Sequence, residues 1–228
     1  MIGSKQSMST LRRVFSSSVG TKLLIGATGL LLVFYLILHL AGNLLIFAGQ
    51  NTFNEYSHTL ISNPLIVPAE IGLAVIFLIH VYKTVRMWIS NQAARPVRYE
   101  KKAWAGHTSR KTIASSTMIY SGLSLFLFVL IHLEQFKFGA WYTIGDPPVR
   151  DLYRLEIEVF TSPVWVAVYV VCMALVGLHL RHGISSAFQS IGADHPLYTR
   201  RLLIWGAILA VLIGAGFAVI PVWVYLTR

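Results

Sequence analysis

Charged residues along this chain leave long gaps, and the gaps predict the fold. No charge stands between Lys22 and Glu55, between Lys111 and Glu134, between Glu158 and Arg181, or between Arg201 and Arg228. Each gap holds an apolar run, and a charge at a bilayer centre costs roughly 2.5–3.5 kcal/mol on insertion scales. A fifth run, about residues 65–89, is apolar but carries Glu70 near its start and Lys83 near its end. All five reach the ~20 residues that cross ~30 Å of hydrocarbon at 1.5 Å per residue. Backbone groups in lipid must be satisfied within the segment, so these runs predict helices; barrel strands would read as ~10-residue alternating segments. The predicted spans are about 23–48, 65–89, 112–135, 159–187 and 202–226, in a single transmembrane domain over residues 1–228. Pro64, Pro68 and Pro163 fall near helix starts, where a missing N–H is tolerated. The expected fold class is an all-α integral membrane protein, a five-transmembrane-helix bundle.

Composition narrows this further. Of 228 residues, 55% are apolar and only 12% charged, about half the ~25% charged content of soluble domains. That excludes a soluble globular enzyme, and the hydrophobicity excludes a disordered chain. The net charge of +10 suggests an acidic partner until it is sorted by side. Fifteen of the nineteen basic residues fall before the first span, from Lys83 at the end of the second to Lys111 before the third, or from Arg181 at the end of the fourth to Arg201 before the fifth. The other side holds only Lys137, Arg150, Arg154 and Arg228, with most of the acids. The positive-inside rule then predicts a cytoplasmic N-terminus and an outside C-terminus, with no nucleic acid involved. The first apolar run exceeds the 7–15 residues of a signal peptide's core, so it is read as a retained helix. A lone cysteine, Cys172, rules out a disulfide framework, a cysteine-ligated iron–sulfur cluster and a covalent haem needing C-x-x-C-H.

Four of the eight histidines lie inside spans: His39, His80, His132 and His179, one in each of the first four. Intramembrane ionisable residues mark functional sites by default. His39 follows Lys22 by 17 residues and His132 follows Lys111 by 21 on helices running outward, so both sit toward the outer side. His80 and His179 closely precede Lys83 and Arg181 on helices running inward, so both sit toward the inner side. The two levels differ by roughly 15 Å at 1.5 Å per residue. Two histidines at one depth suit the two axial positions of a haem iron, and full axial ligation favours electron transfer over oxygen chemistry. The predicted pairs are His39 with His132 and His80 with His179, each holding one non-covalent haem b. His182, three residues after His179, either replaces it as ligand or joins Arg181 at the inner haem's edge. Lys22 is counted with them as cofactor-binding. Gly26, Gly29, Gly42, Gly72, Gly122, Gly177 and Gly183 would let helices and a flat macrocycle approach closely, though helix packing alone also uses such residues. His58, His107 and His195 are assigned to loops.

At this point the chain resembles the cytochrome b membrane-anchor subunit of succinate dehydrogenase/fumarate reductase, in its single-subunit, five-helix, two-haem form. The resemblance rests on S-S-V-G-T-K (Ser17 to Lys22) leading to H-L-A-G-N (His39 to Asn43), on F-N-E-Y-S-H-T-L-I-S-N-P (Phe53 to Pro64), and on H-L-R-H-G-I-S-S-A-F-Q (His179 to Gln189). It covers essentially the whole chain. It implies a subunit of complex II in the respiratory chain and the tricarboxylic acid cycle, in the bacterial cytoplasmic (inner) membrane. Its partners would be a flavoprotein and an iron–sulfur subunit on the cytoplasmic face, with membrane lipid around it and a higher oligomer of the heterotrimer open. Electrons would reach menaquinone through the two haems, and this chain would not itself bind succinate. The basic stretch Arg95 to Lys111 would add a docking surface for the iron–sulfur subunit. Quinone chemistry near the outer haem needs proton exchange, for which Glu70, Glu55 and Glu134 are candidates if burial raises a carboxyl toward neutrality. Two alternatives stand: a dihaem cytochrome b of a hydrogenase or formate dehydrogenase, or a haem-free protein whose histidines line a proton path. Trp141, Tyr142, Trp165, Trp223 and Tyr225 suit an interfacial aromatic belt.

Overall fold

The computed structural model describes residues 17–94, 117–193 and 195–228. Among these, five helices are long and apolar enough to cross a membrane. Helix α1 spans Ser18–Asn43, capped by Ser17, whose side chain accepts from the Gly20 N–H at 3.0 Å. It tightens into a 3-10 turn, Leu44–Ala48, and stops at Gly49, whose φ of 96° lies in the left-handed region that a Cβ disfavours. Gly49 redirects the chain into α2, Gln50–Ile61. Helix α3 spans Ile66–Ala93 and α4 spans Met118–His132, the latter continuing into a π turn, Leu133–Lys137. A short antiparallel hairpin, β1 Thr143–Ile144 with β2 Val149–Arg150, leads to α5, Leu152–Phe160. Helices α6, Pro163–Ser190, and α7, Thr199–Thr227, complete the chain.

The boundaries depart from the hydropathy reading in ways the local chemistry explains. The first helix begins five residues before 23, because Ser17 supplies a cap that apolar runs do not reveal. The second runs on past Lys83 and Arg86 to Ala93, since long basic side chains can carry their charge away while their stems stay on the helix. The expected fourth span, from 159, is two elements: α5 ends at Phe160 and α6 starts afresh with Pro163 at its first position. Residues 112–116, Arg95 to Lys111, His107 and the basic residues before Ser17 lie outside the described residues. His58, expected in a loop, is in the last turn of α2.

Helices α6 and α7 pack most extensively, and small residues set their approach. A Cβ on Gly214 would stand 3.0 Å from the Met173 carbonyl oxygen and 3.3 Å from the Gly177 Cα. Helix α1 lies against both: Gly26 faces Ala187 and Ser190 of α6, and Gly216 of α7 faces Leu40. Without water to drive association, such close backbone approach is what holds helices together in lipid. Helix α3 buries no residue, packs mainly on α1, and touches α4 only lightly. The bundle has a proximal end, where α1 begins, and a distal end. At the distal end, Lys137 after α4 pairs with Glu70 of α3, and α2, the hairpin and α5 form a cap.

Two features bind that cap. Asp151 is buried and accepts from Gln50 Nε2 at 2.8 Å, Asn54 Nδ2 at 2.7 Å and the Arg154 N–H at 3.1 Å. It therefore caps α5 and ties it to α2, while Asn54 Oδ1 accepts from the Tyr153 N–H. Phe53 of α2 meets Tyr153 edge-on, and Arg228 at the end of α7 donates to the Tyr153 hydroxyl.

Candidate functional site

Four helices bring the intramembrane histidines together in two pairs. At the proximal level, His80 of α3 and His179 of α6 lie close enough to interact electrostatically. His80 Nδ1 is 3.2 Å from the Thr28 hydroxyl, whose one hydrogen goes to the Leu24 carbonyl at 2.7 Å. With its hydrogen committed, that oxygen accepts from Nδ1–H, which leaves His80 Nε2 with a free lone pair. His179 is held the same way. Its Nδ1 is 3.1 Å from the Ser121 hydroxyl, which donates to the Met118 carbonyl at 3.1 Å. The glycine after each hydroxyl residue presses on the ring: a Cβ on Gly29 or Gly122 would meet Cε1 of His80 or His179 at 3.3 Å.

At the distal level, the rings of His39 and His132 are 5.9 Å apart and nearly perpendicular, at 86°. His39 stacks on Tyr35 and lies against Phe217. His132 Nδ1 is 3.3 Å from the Tyr169 hydroxyl, which donates to Gln135 Oε1 at 2.7 Å. By the same reasoning Tyr169 accepts from Nδ1–H and His132 Nε2 is free. Tyr169 and Gln135 are both buried. Thr28 and His39 are eleven residues apart on α1, as are Ser121 and His132 on α4, so the levels are separated by roughly 16 Å of helix rise.

The arrangement suits a metal that brings most of its own coordination. Among the described residues no group of three or more His, Cys, Asp or Glu converges on one point, so each pair offers at most two imidazoles to a metal. Metal–imidazole bonds of about 2.0–2.1 Å put two ring centroids on one metal roughly 6 Å apart, close to the separation of His39 and His132. A metal-ligating histidine typically donates its other ring N–H to a fixed acceptor, and three of the four do so here. The separation of His39 and His132 therefore fits a bis-imidazole haem at the distal level, and the proximal pair offers the same ligand type with both Nδ1 atoms held by hydroxyls.

The remaining candidates fall differently. It is His179, not His182, that meets Ser121 and Gly122. His182 is half-buried one turn further along α6, and Arg181 and Lys22 are exposed. The carboxylates expected to be buried are not. Glu70 is 41% exposed and ion-paired with Lys137. Glu55 is on the open face of α2, opposite buried Phe53, Asn54 and Ser57, and Glu134 is exposed in the π turn beside buried Gln135. Among the described residues the buried glutamate is Glu156 of α5, at 5% exposure, whose carboxyl pKa burial pushes up to about 8.

Sequence reasoning also missed Thr28, Ser121, Tyr169 and Gln135. A signal for the first two was present. T-G-L-L-L-V-F-Y-L-I-L-H (Thr28 to His39) and S-G-L-S-L-F-L-F-V-L-I-H (Ser121 to His132) share a hydroxyl residue, a glycine and a histidine at identical spacing. Helices α1 and α4 are thus repeats of one pattern, each serving both levels.

Comparison with known proteins found no matching family model, no matching curated protein and no matching solved structure.

Proposed function

We propose that this chain is the dihaem cytochrome b anchor subunit of a succinate:menaquinone oxidoreductase in a bacterial inner membrane. The observation that carries the reading is the pair of histidine levels, with Nδ1 of His80, His179 and His132 bound to hydroxyls whose hydrogens are already committed. A haem b held between the imidazoles of each pair supplies one-electron transfer with no open coordination position. The chain's own part is to fix the ligands. Thr28, Ser121 and Tyr169 each hold one tautomer, and Gly29 and Gly122 let the inner rings lie flush on the neighbouring helix. The charge asymmetry orients the proximal end toward the cytoplasm, where the flavoprotein and iron–sulfur subunits dock. Menaquinone reacts near the distal pair, on the outer side. The motifs from Phe53 to Pro64 and from His179 to Gln189 favour the succinate dehydrogenase/fumarate reductase assignment over other dihaem cytochromes.

The test is purification from native membranes, with a reduced-minus-oxidised spectrum and identification of the co-purifying subunits. The expected result is two b-type signals and a flavin- and cluster-bearing partner, with one haem lost in His39→Ala and one in His80→Ala. A colourless protein would move the assignment to a haem-free proton path. Two haems with hydrogenase or formate dehydrogenase partners would move it to that class. Retention of both haems in both variants would overturn the ligand assignment.

A further inference from the structure

Four helices surround the two histidine levels, and three of the four sides between them are shut by close approach. A Cβ on Gly26 of α1 would stand 3.4 Å from the Ala187 backbone of α6. One on Gly29 of α1 would stand 3.3 Å from His80 of α3, and one on Gly122 of α4 3.3 Å from His179 of α6. The fourth side, between α3 and α4, is built differently. Helix α3 buries no residue, even along the stripe Glu70, Leu73 and Phe77 that it turns toward α4. Two side-chain pairs cross this seam: Phe77 stacks on Phe126 at 6.0 Å and 10°, and Lys137 reaches Glu70 from beyond the end of α4. Glu70 and Phe77 are seven residues apart, so the two pairs bracket a window about 10 Å tall. Leu130 and Leu133, four and seven residues beyond Phe126, continue its face of α4 and are 50% and 40% exposed. His132 follows Phe126 by six residues and precedes Lys137 by five, so the window opens at the depth of the distal pair.

Resting on the reading above that His39 and His132 hold a haem b, we infer that the α3–α4 seam is the lateral entry through which the distal pair is loaded. Helices α3 and α4 part at the window, the flat macrocycle passes edge-on from the bilayer, and the Phe77–Phe126 stack and the Lys137–Glu70 pair close behind it. Parting α1 from α6, or α3 from α1, would instead break backbone-level contacts, and α7 backs α6 as well. The distal end is no easier, because the cap of α2, the hairpin and α5 stands there. Parting α3 from α4 exposes little that is not exposed already, and segments with few buried contacts open first. The closures are of weak kinds: one aromatic pair, and an ion pair whose side chains are 45% and 41% exposed. Solvent screening leaves such a pair with little net strength. The edges of the window also match what passes. Leucines line it where the macrocycle is apolar, and a lysine stands at the outer rim where the two propionate carboxylates follow. Lys137 thus latches the seam when it is shut and offers a cation to the carboxylates when it is open.

The experiment loads the full-length chain with haem after synthesis. Cells unable to make haem supply native membranes holding the chain with Glu70→Cys, Lys137→Cys and Cys172→Ser, the last removing its own lone thiol. A short bismaleimide bridges the two new thiols across the seam, haemin is added, and haem per protein and the reduced-minus-oxidised spectrum are followed in time. The unbridged chain is expected to take up two haems. Bridging before haemin slows uptake of the distal one by roughly tenfold or more, and bridging after haemin leaves both haems and the spectrum unchanged. Variants with one of the two new cysteines, treated with the same reagent, load like the unbridged chain. Unchanged uptake after bridging, or equal slowing in the single-cysteine variants, overturns the inference and leaves the dihaem reading standing. Bridging that spares haem uptake and abolishes quinone reduction also overturns it, giving the window to the quinone. Loss of the distal haem on bridging a loaded chain overturns it too, since the shut seam would then not be the loaded state. A chain that holds no haem even from haem-replete cells overturns the dihaem reading itself. Where the haem-free chain does not accumulate, passage is read outward from the holo complex, as haem transfer to excess apomyoglobin. Phe77→Ala with Phe126→Ala is expected to speed loss of the distal haem and the bridge to slow it; equal rates in all three overturn the inference.

Discussion

Replacing Asp151 with alanine tests whether the distal cap opens independently of the bundle. The substitution removes the N-cap of α5, worth about 1 kcal/mol, and two side-chain hydrogen bonds to a charged acceptor, each about 1.5–3 kcal/mol. The donors left behind, Gln50 Nε2 and Asn54 Nδ2, sit in the interface between α2 and α5, and Asn54 is fully buried. Because these terms share partners they do not add in full, and a local loss of roughly 3–5 kcal/mol follows. Helix α5 has nine residues, too few to persist in water without tertiary support. Hydrogen exchange read by mass spectrometry should therefore accelerate across residues 152–160 by roughly a hundred- to several-thousandfold, at about 1.4 kcal/mol per decade. Residues 163–190 of α6 should stay within a few-fold of wild type. Equal acceleration in both segments would show that cap and bundle open as one unit, and no acceleration would show that the Asp151 bonds contribute nothing. Acidification should mimic the variant. Burial works to raise the Asp151 carboxyl, but hydrogen bonds from Asn54, the Arg154 N–H and Gln50 outweigh it and hold it below the usual range. Its contribution is therefore complete above the ordinary carboxylate pKa and is lost as pH falls through the lowered one.

Other expectations follow from single contacts. Thr28→Val and Ser121→Ala each remove the acceptor for an inner histidine Nδ1–H, and should weaken haem retention at that level by roughly 10–100-fold, measured as haem per protein after dilution. Gly42→Ala would put a Cβ 2.6 Å from Tyr56 Cε1 and force that exposed ring to swing aside; a loss of about 1 kcal/mol is expected in thermal unfolding in detergent. Glu156 also links stability to pH. The folded state holds a proton between about 4.5 and about 8 that the unfolded chain has released, so stability falls as pH rises through that window. The fall is at most roughly 5 kcal/mol, Glu156→Gln should abolish it, and a Gln variant with an unchanged pH profile would contradict it.

The five spans were legible because lipid imposes a length and a polarity that no other environment demands. The levels of His39, His80, His132 and His179 could be counted from flanking charges, since helix rise is constant. The cap was not legible in the same way. Helices α2 and α5 are short, lie among polar residues and have no apolar run to announce them. In L-Y-R-L-E-I-E-V-F (Leu152 to Phe160), Arg154, Glu156 and Glu158 alternate with apolar residues, a period of two that does not point to a helix. Only helical spacing puts Tyr153, Glu156 and Phe160 on one face, and nothing before the Asp151 cap signals a helix there. Glu70 misled for the opposite reason. Its apolar neighbours suggested burial, but α3 lies at the edge of the bundle and Lys137 reaches it across the distal end. Tyr169 and Gln135 depended on how α6 rotates against α4, which no local pattern encodes.

The repeated hydroxyl–glycine–histidine pattern on α1 and α4 has a consequence for biosynthesis. The first half of the chain, through α3, carries His39 and His80; the second, through α6, carries His132 and His179. Each level draws one imidazole from each half, while the hydroxyls stay within their own half: Thr28 serves His80 in the first, Ser121 serves His179 in the second. A nascent chain whose first two membrane helices have left the ribosome therefore presents one oriented imidazole for the proximal level, one for the distal level, and a partner for neither. The distal pair is complete once α4 has followed, whereas the proximal pair waits for α6, so the order of translation sets the order in which the two levels can close.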